Sequence, residues 1–202
     1  MSFAKGVIEL STKMRNKLML SRLLYVGAAA ALIGFDRLVK WLVVRYIDYR
    51  DSVVVIKGLL DFTHWHNDGA AFGILSGRQT FLIIVTSVFL ITALGFLLSP
   101  KIKSKFTLIA ITLIISGGVG NWIDRVVDGY VVDYIELKFI NFAIFNFADM
   151  CAVAGAFMLF FVVIADEVRH YKAKKACEVE LETAAVPSES ETISDKESDK
   201  DV

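Results

Sequence analysis

The sequence predicts an all-α integral membrane protein with four transmembrane helices and a small β-sheet on the extracytoplasmic surface. Hydrophobic residues make up 55% of the 202 residues, and the mean hydropathy is +0.57, whereas about 45–50% apolar residues are usual in a soluble domain. The apolar residues gather in four runs, each close to the roughly 20 residues that cross a hydrocarbon core. Two of the connecting segments contain the β-branched and aromatic residues typical of strands.

The four runs give the approximate bounds of the predicted spans, which are 23–44, 80–98, 106–123 and 147–165. Ser99 and Pro100 stop the second run, because proline cannot continue a helix without losing a hydrogen bond. The third run ends in the small, glycine-rich sequence SGGVGN, which permits a close approach between helices.

The basic residues predict the orientation, because short loops rich in Lys and Arg stay in the cytoplasm. Twelve Lys and Arg residues occur in segments 1–22, 99–105 and 166–177, against six in the two longer loops. Both termini are therefore predicted inside, with loops 45–79 and 124–146 outside. A cleaved signal peptide is the alternative for the N-terminus, but Arg22 interrupts the apolar core that cleavage would need.

This pattern divides the chain into three parts. Residues 1–22 form a cytoplasmic basic lead, residues 23–166 the four-span membrane domain, and residues 167–202 a cytoplasmic tail. The nine acids and the Ser/Glu/Asp bias beyond Cys177 predict disorder from about residue 178. In the outer loops, 53–66 and GYVVDYIEL predict strands, and Asn67-Asp68-Gly69 predicts a turn.

Composition also excludes several classes of protein. The 22 basic and 22 acidic residues balance, and no basic patch points to nucleic acid. Cys151 lies inside an apolar run and Cys177 in a charged segment beyond it, so the two should not form a disulfide. His64 and His66 could hold a metal only with ligands that the loops do not obviously supply, and we expect neither a metal nor a cofactor.

The chemistry is predicted in the stretch from Gly117 to Asp149. Asp133 and Asp149 sit among apolar neighbours in YVVDYI and FNFADM, where desolvation and mutual repulsion can keep one carboxyl protonated while the other is ionised. Acids at a membrane edge are costly unless they have a function, and a carboxyl pair of this kind performs acid and base catalysis. The sequence therefore predicts a membrane-embedded hydrolase of the aspartic type.

Two of these motifs also have structural interpretations. In NFAD, Asn146 and Asp149 match a helix-capping box, which is compatible with catalysis because the helix dipole favours a charged Asp149. In GNWIDR, Asn121 could end a helix, with Trp122 at headgroup depth and Arg125 in water. The ion pair expected between Asp36 and Lys40, four residues apart on one helix face, is likewise structural in the first instance.

Taken together and in order, the motifs resemble those of one known family, the lipoprotein signal peptidases, also called signal peptidase II. The resemblance covers about residues 23–166. Its motifs are DRLVK (36–40), NDGAAFG (67–73), GGVGNWIDR (117–125) with GYVVDY (129–134), and FNFAD (145–149). It implies a bacterial cytoplasmic-membrane aspartic endopeptidase whose active site faces the outer leaflet. We expect the protein to be a monomer surrounded by membrane lipids, although the sequence itself does not give the oligomeric state. It also implies a lipidated prolipoprotein substrate, cleaved amino-terminal to the diacylglyceryl-modified cysteine.

The resemblance also implies roles for single residues. The family pattern places the catalytic aspartates on Asp133 and Asp149, and Asp124 is expected to be a structural acid. Residues that bind substrate or support the pair fall on seven positions: Asp36, Lys40, Asn67, Gly69, Asn121, Arg125 and Asn146. Arg37 and Val39 stand where family members often have Gln and Ser or Thr.

Two other functions remain open at this point. A small proton-coupled transporter could use outer-leaflet acids, although these acids gather at one interface and no inverted repeat is visible. A non-enzymatic membrane assembly subunit could use the same acids only as helix caps and anchors.

Overall fold

The computed structural model describes residues 2–69 and 75–185, and it confirms the predicted fold class. Four long helices and a three-stranded antiparallel sheet follow the chain in the order helix, two strands, two helices, strand, helix. Their bounds are α1 Ser2–Tyr46, β1 Ser52–Ile56, β2 Leu60–Asn67, α2 Gln79–Leu98, α3 Lys105–Val127, β3 Val131–Leu137 and α4 Phe147–Ala185. Each helix is long and apolar enough to cross a membrane.

Two of the helices extend well beyond the predicted spans. The basic lead is the first part of α1, because it contains no proline and is rich in residues that favour helices. At the other end, α4 runs to Ala185, through residues 178–185 where disorder was expected. That segment is rich in Glu and Ala and precedes Pro187. The rest of the predicted disordered tail, 186–202, lies outside the described residues.

The chain divides into two compact units, Met1–Phe160 and Phe161–Val202. The first contains α1, α2, α3, the sheet and the beginning of α4. The second contains the remainder of α4, which is described to Ala185. The functional residues predicted from the sequence all belong to the first unit.

Helix α3 does not end at Asn121, so the structural interpretation of GNWIDR is wrong in that respect. The helix continues to Val127, with Asp128 as its C-terminal cap, and Asn121 therefore projects from within a helix. Trp122 donates its ring N–H to Ser87 Oγ at 2.8 Å and so joins α3 to α2. The extra turns place Asp124 and Arg125 on the same rigid element as Asn121.

Glycine permits close contact between α3 and its neighbours, as SGGVGN predicted. A Cβ atom on Gly117 would lie 2.2 Å from the carbonyl oxygen of Ala148, and one on Gly120 would lie 2.7 Å from Asp36 Oδ2. Farther along α4, a Cβ on Gly155 would lie 2.7 Å from the carbonyl oxygen of Ala110. The first turns of α4 and the polar end of α1 are thus held against the backbone of α3.

The predicted strands form one sheet in the order β1-β2-β3. A tight turn at residues 57–59 joins β1 to β2, and Gly58 supplies its positive φ of 74°. In the pairing of β2 with β3, Trp65 lies opposite Asp133 and Asn67 opposite Val131. Two loops that are separated in sequence by α2 and α3 therefore meet beside Asp133.

Candidate active site

The structure brings Asp133 and Asp149 to one cavity of about 390 Å³. Asp133 comes from β3 and is 2% exposed, whereas Asp149 lies in the first turn of α4. The polar part of the cavity wall is completed by Asn67, Asn121 and Arg125. The remaining wall is apolar and is formed by Val131, Phe142, Ala143, Ile144, Phe145, Met150, Ala152 and Val153.

Asp133 receives an amide hydrogen bond on each carboxyl oxygen. Asn67 Nδ2 donates to Oδ2 at 2.9 Å, and Asn146 Nδ2 donates to Oδ1 at 2.6 Å. Burial and the nearby charge of Asp149 nevertheless raise the pKa of Asp133 to about 7, against the opposing effect of the two donors. Asp133 therefore retains a proton up to near-neutral pH.

Asp149 is held by the capping box that NFAD predicted. Asn146 Oδ1 accepts the backbone N–H of Asp149 at 3.0 Å, and Asp149 Oδ2 accepts the backbone N–H of Asn146 at 3.1 Å. Asn121 Nδ2 donates to Asp149 Oδ1 at 2.7 Å. The helix N-terminus favours the negative charge of a carboxylate at this position.

All three asparagines are oriented so that their NH₂ groups face the aspartates. The carbonyl oxygen of Asn67 accepts the Gly69 backbone N–H at 2.9 Å, and that of Asn121 accepts an N–H of Lys40 at 2.9 Å. The carbonyl oxygen of Asn146 is occupied by the cap of α4. Every carboxyl oxygen of Asp133 and Asp149 therefore receives one N–H. Three of these donors are side-chain amides that cannot flip without breaking another hydrogen bond, and the fourth is a backbone N–H.

Beneath the aspartates, a charged cluster joins α1 to α3 and α4. Lys40 is 2% exposed, and its Nζ lies 2.9 Å from Asp36 Oδ2, which confirms the predicted ion pair, and 2.7 Å from Asp124 Oδ2. Asp36 Oδ1 accepts the backbone N–H of Ala148 at 3.0 Å. Arg37 pairs with the other oxygen of Asp124. Asp124, 0% exposed, thus ties α3 to α1.

Arg125 connects α3 to the end of β2. Its Nη2 donates to the carbonyl oxygen of Gly69 at 2.8 Å, and its Nη1 donates to that of Asn121 at 3.3 Å. Arg125 is half-buried and lines the cavity, so the interpretation of this side chain as a water-exposed anchor is wrong. Since Gly69 also holds Asn67, Arg125 helps to fix the donor of Asp133.

The two histidines of HWHN form a pair on β2. Their Nε2 atoms are 3.0 Å apart, and His64 Nδ1 lies 2.8 Å from the Ile47 carbonyl oxygen. His66 stacks between Tyr49 and Tyr130, with ring centroids 4.3 and 3.7 Å away. Among the residues that the structure describes, no group of three or more His, Cys, Asp or Glu side chains could hold a metal ion.

The apolar wall of the cavity and one supporting tyrosine are parts of the site that the sequence did not predict. Four of its eight apolar residues come from the segment FINFAIF, and the apolar character of that segment just before NFAD was the signal that could have indicated them. Tyr134 Oη accepts the backbone N–H of Phe147 at 3.2 Å and so links β3 to the start of α4. Nothing in the strand pattern distinguished this tyrosine from its neighbours.

The fold and the cavity define an integral membrane protein with two buried, hydrogen-bonded carboxyl groups beside an apolar wall, an arrangement capable of acid and base catalysis. The family model described as signal peptidase (SPase) II matches residues 28–165. The chain belongs to this family and is therefore a membrane protease.

Named relatives agree with that assignment. The chain is 42% identical over 140 residues to a lipoprotein signal peptidase of Streptococcus thermophilus, which covers 69% of this chain and 92% of the relative. It is 39% identical over 145 residues to that of Lactiplantibacillus plantarum, covering 71% and 96%. A solved structure described as a bacterial membrane enzyme matches with a TM-score of 0.67 and 34% identity, covering 73% of this chain and 89% of that one.

Proposed function

We propose that this protein is an aspartic endopeptidase that removes the signal peptide from prolipoproteins, cutting amino-terminal to a cysteine that bears a diacylglyceryl group. Family membership and the relatives named lipoprotein signal peptidases support the removal of signal peptides. The observation that supports the aspartic mechanism is the placement of Asp133 and Asp149 in one cavity, with an N–H donor on every carboxyl oxygen.

In the proposed reaction, Asp149 is the base and Asp133 is the acid. The Asp149 carboxylate removes a proton from water as the water oxygen attacks the scissile carbonyl carbon, and the proton of Asp133 stabilises the developing oxyanion. When the tetrahedral intermediate collapses, the C–N bond breaks and a proton from the pair passes to the departing amine. The pKa of about 7 at Asp133 supports this assignment, because that carboxyl keeps its proton near neutrality.

The apolar wall of the cavity fits the proposed substrate. A signal peptide is apolar, and a diacylglyceryl group belongs in the bilayer, so the substrate would reach the carboxyl groups from the lipid. Phe142, Ile144, Met150 and Val153 line that side of the cavity, and Asn67 and the neighbouring strands would hold the peptide extended.

We further propose that both termini are cytoplasmic and that the cavity opens at the outer leaflet. The twelve-to-six distribution of Lys and Arg supports this orientation. Reporter fusions after Ser99 and after Arg169 should report a cytoplasmic location, and a fusion near Lys57 an external one. An external signal after Ser99 would contradict both the orientation and the outer location of the site.

The two other candidate functions, a proton-coupled transporter and a non-enzymatic membrane assembly subunit, are not supported. The signal peptidase II match covers most of the membrane domain and favours neither a transporter nor an assembly subunit. In addition, Asp133 and Asp149 converge on one cavity, whereas a proton-coupled transporter needs ionisable groups along a path through the bilayer.

The test is a cleavage assay with the full-length protein in detergent or lipid nanodiscs. The substrate is a synthetic precursor peptide with a diacylglyceryl cysteine, and the matched control is the same peptide with an unmodified cysteine. Mass spectrometry should locate one cut, before the cysteine, in the lipidated peptide only. The rate should be unchanged by a metal chelator, because the proposed mechanism uses only side chains. Absence of cleavage, or a cut at another bond, would contradict the proposal.

A further inference from the structure

Arg37 completes a group of two acids and two bases between α1 and α3. Its guanidinium pairs with Asp124 Oδ1, while Lys40 Nζ lies 2.7 Å from Asp124 Oδ2. The side chain of Asp124 is 0% exposed, whereas that of Arg37 is 37% exposed. Two separate cations therefore serve the two oxygens of one fully buried carboxylate.

The ammonium group of Lys40 lies among three oxygen atoms, two of carboxylates and one of an amide. A lysine has three N–H donors, and Lys40 Nζ has three close oxygen neighbours, at 2.9 Å in Asp36, 2.7 Å in Asp124 and 2.9 Å in Asn121. The contact with Asn121, together with an N–H that Asn146 donates to the same oxygen at 3.1 Å, keeps the carbonyl oxygen of that amide turned away from the aspartates. The NH₂ group of Asn121 is thereby aimed at Asp149, 2.7 Å away.

We propose that Arg37 is a positioning residue for the cleavage reaction, which donates an N–H to Asp124 and thereby leaves Lys40 free to orient Asn121 toward Asp149. Without a donor at residue 37, Asp124 Oδ1 would be a buried carboxylate oxygen with no partner, which is costly. Lys40 already contacts the same carboxylate and would turn toward that oxygen, giving up Asn121. The inference rests on the proposed role of Asp149 as the base.

Comparing Arg37→Gln with Arg37→Met tests the N–H donor at residue 37 separately from its charge, because both variants lose the positive charge. Both side chains are neutral and of similar length, but only Gln offers an N–H to Asp124. The kcat of the Gln variant should stay within about threefold of wild type, and that of the Met variant should fall about tenfold, or about 1.4 kcal/mol. KM should not change in either variant, because Arg37 does not line the cavity.

Arg45→Met is the matched control. Arg45 lies on the same helix, is exposed, and makes no ion pair with any of the described side chains. Its kcat should equal that of wild type. If the Arg37→Met variant fails to insert, Arg37→Ala removes the same donor with a smaller side chain.

A double variant separates positioning from a general structural effect. If Arg37 acts through Asn121, adding Arg37→Met to Asn121→Ala should cause no further loss, because the contact it supports is already gone. Equal kcat values for the Gln and Met variants, a rise in KM in place of a fall in kcat, or multiplying losses in the double variant would each overturn the inference. Wild-type protein that does not cleave the lipidated peptide would contradict the proposed function instead.

Discussion

Replacing Asn67 by alanine should slow cleavage strongly while leaving the protein folded. Asn67 supplies the N–H donor to Asp133 Oδ2 at 2.9 Å, and its own carbonyl oxygen is held by Gly69 at 2.9 Å. Leaving a buried polar group without its hydrogen-bond partner costs roughly 1–3 kcal/mol, so the loss should lower kcat roughly 5- to 150-fold. The assay is the initial rate of cleavage of the lipidated precursor peptide by purified protein.

The pH dependence of the same variant gives a second test of the reasoning. The hydrogen bond from Asn67 lowers the pKa of Asp133, because it stabilises the ionised form. Removing the donor should raise that pKa above its value of about 7. The alkaline limb of the rate profile, where Asp133 loses its catalytic proton, should therefore move to higher pH.

Asn141→Ala is the matched control, since Asn141 is an exposed asparagine in the loop before α4. It should leave both the rate and the pH profile unchanged. An Asn67→Ala enzyme with wild-type kcat and an unmoved alkaline limb would refute the assigned role and reduce Asn67-Asp68-Gly69 to a structural turn.

Two further predictions concern stability. Gly117→Ala places a Cβ 2.2 Å from the Ala148 carbonyl oxygen, so α3 and α4 must separate and the thermal midpoint should drop by several degrees. Gly95→Ala in α2 meets nothing within 4 Å, and its midpoint should not fall. Asp133→Asn should gain stability relative to wild type as the pH rises from about 4 to about 7. Folded Asp133 keeps its proton to about pH 7, while the unfolded chain releases it near the ordinary aspartate pKa of 3.8, so wild-type protein loses stability across that window. A midpoint difference that does not grow with pH would contradict the raised pKa of Asp133.

The sequence predicted the elements of the site better than their connections. Hydrophobic run length located the four spans, and the β-branched segments located the strands, because both patterns are local. NFAD identified the cap that holds Asp149, since a capping box depends on residues three positions apart. The convergence of Asn67 with Asp133 depends on how β2 pairs with β3, and that register joins segments 66 residues apart.

Helix ends were predicted less well for a related reason. Membrane-length hydrophobicity sets where a helix crosses the bilayer, but the backbone of α1 and α4 continues as long as the residues favour helix and no proline intervenes. The orientation of the three asparagines also lay beyond sequence patterns. Each amide is turned by a partner from another element or from the local backbone. The role proposed for Arg37 likewise depends on its contact with Asp124, which lies 87 residues away in the sequence.

The most direct test of the account is to replace each aspartate of the pair by asparagine. Asp133→Asn and Asp149→Asn keep the side-chain volume but cannot transfer a proton, so each should abolish cleavage of the lipidated peptide in normally inserted protein. The double variant should be little worse than either single one, because groups that act as a unit have non-additive effects. Asp128→Asn, at the exposed cap of α3, should remain active. Substantial cleavage by either single variant, or an equal loss in the Asp128 variant, would show that these are not the catalytic carboxyl groups.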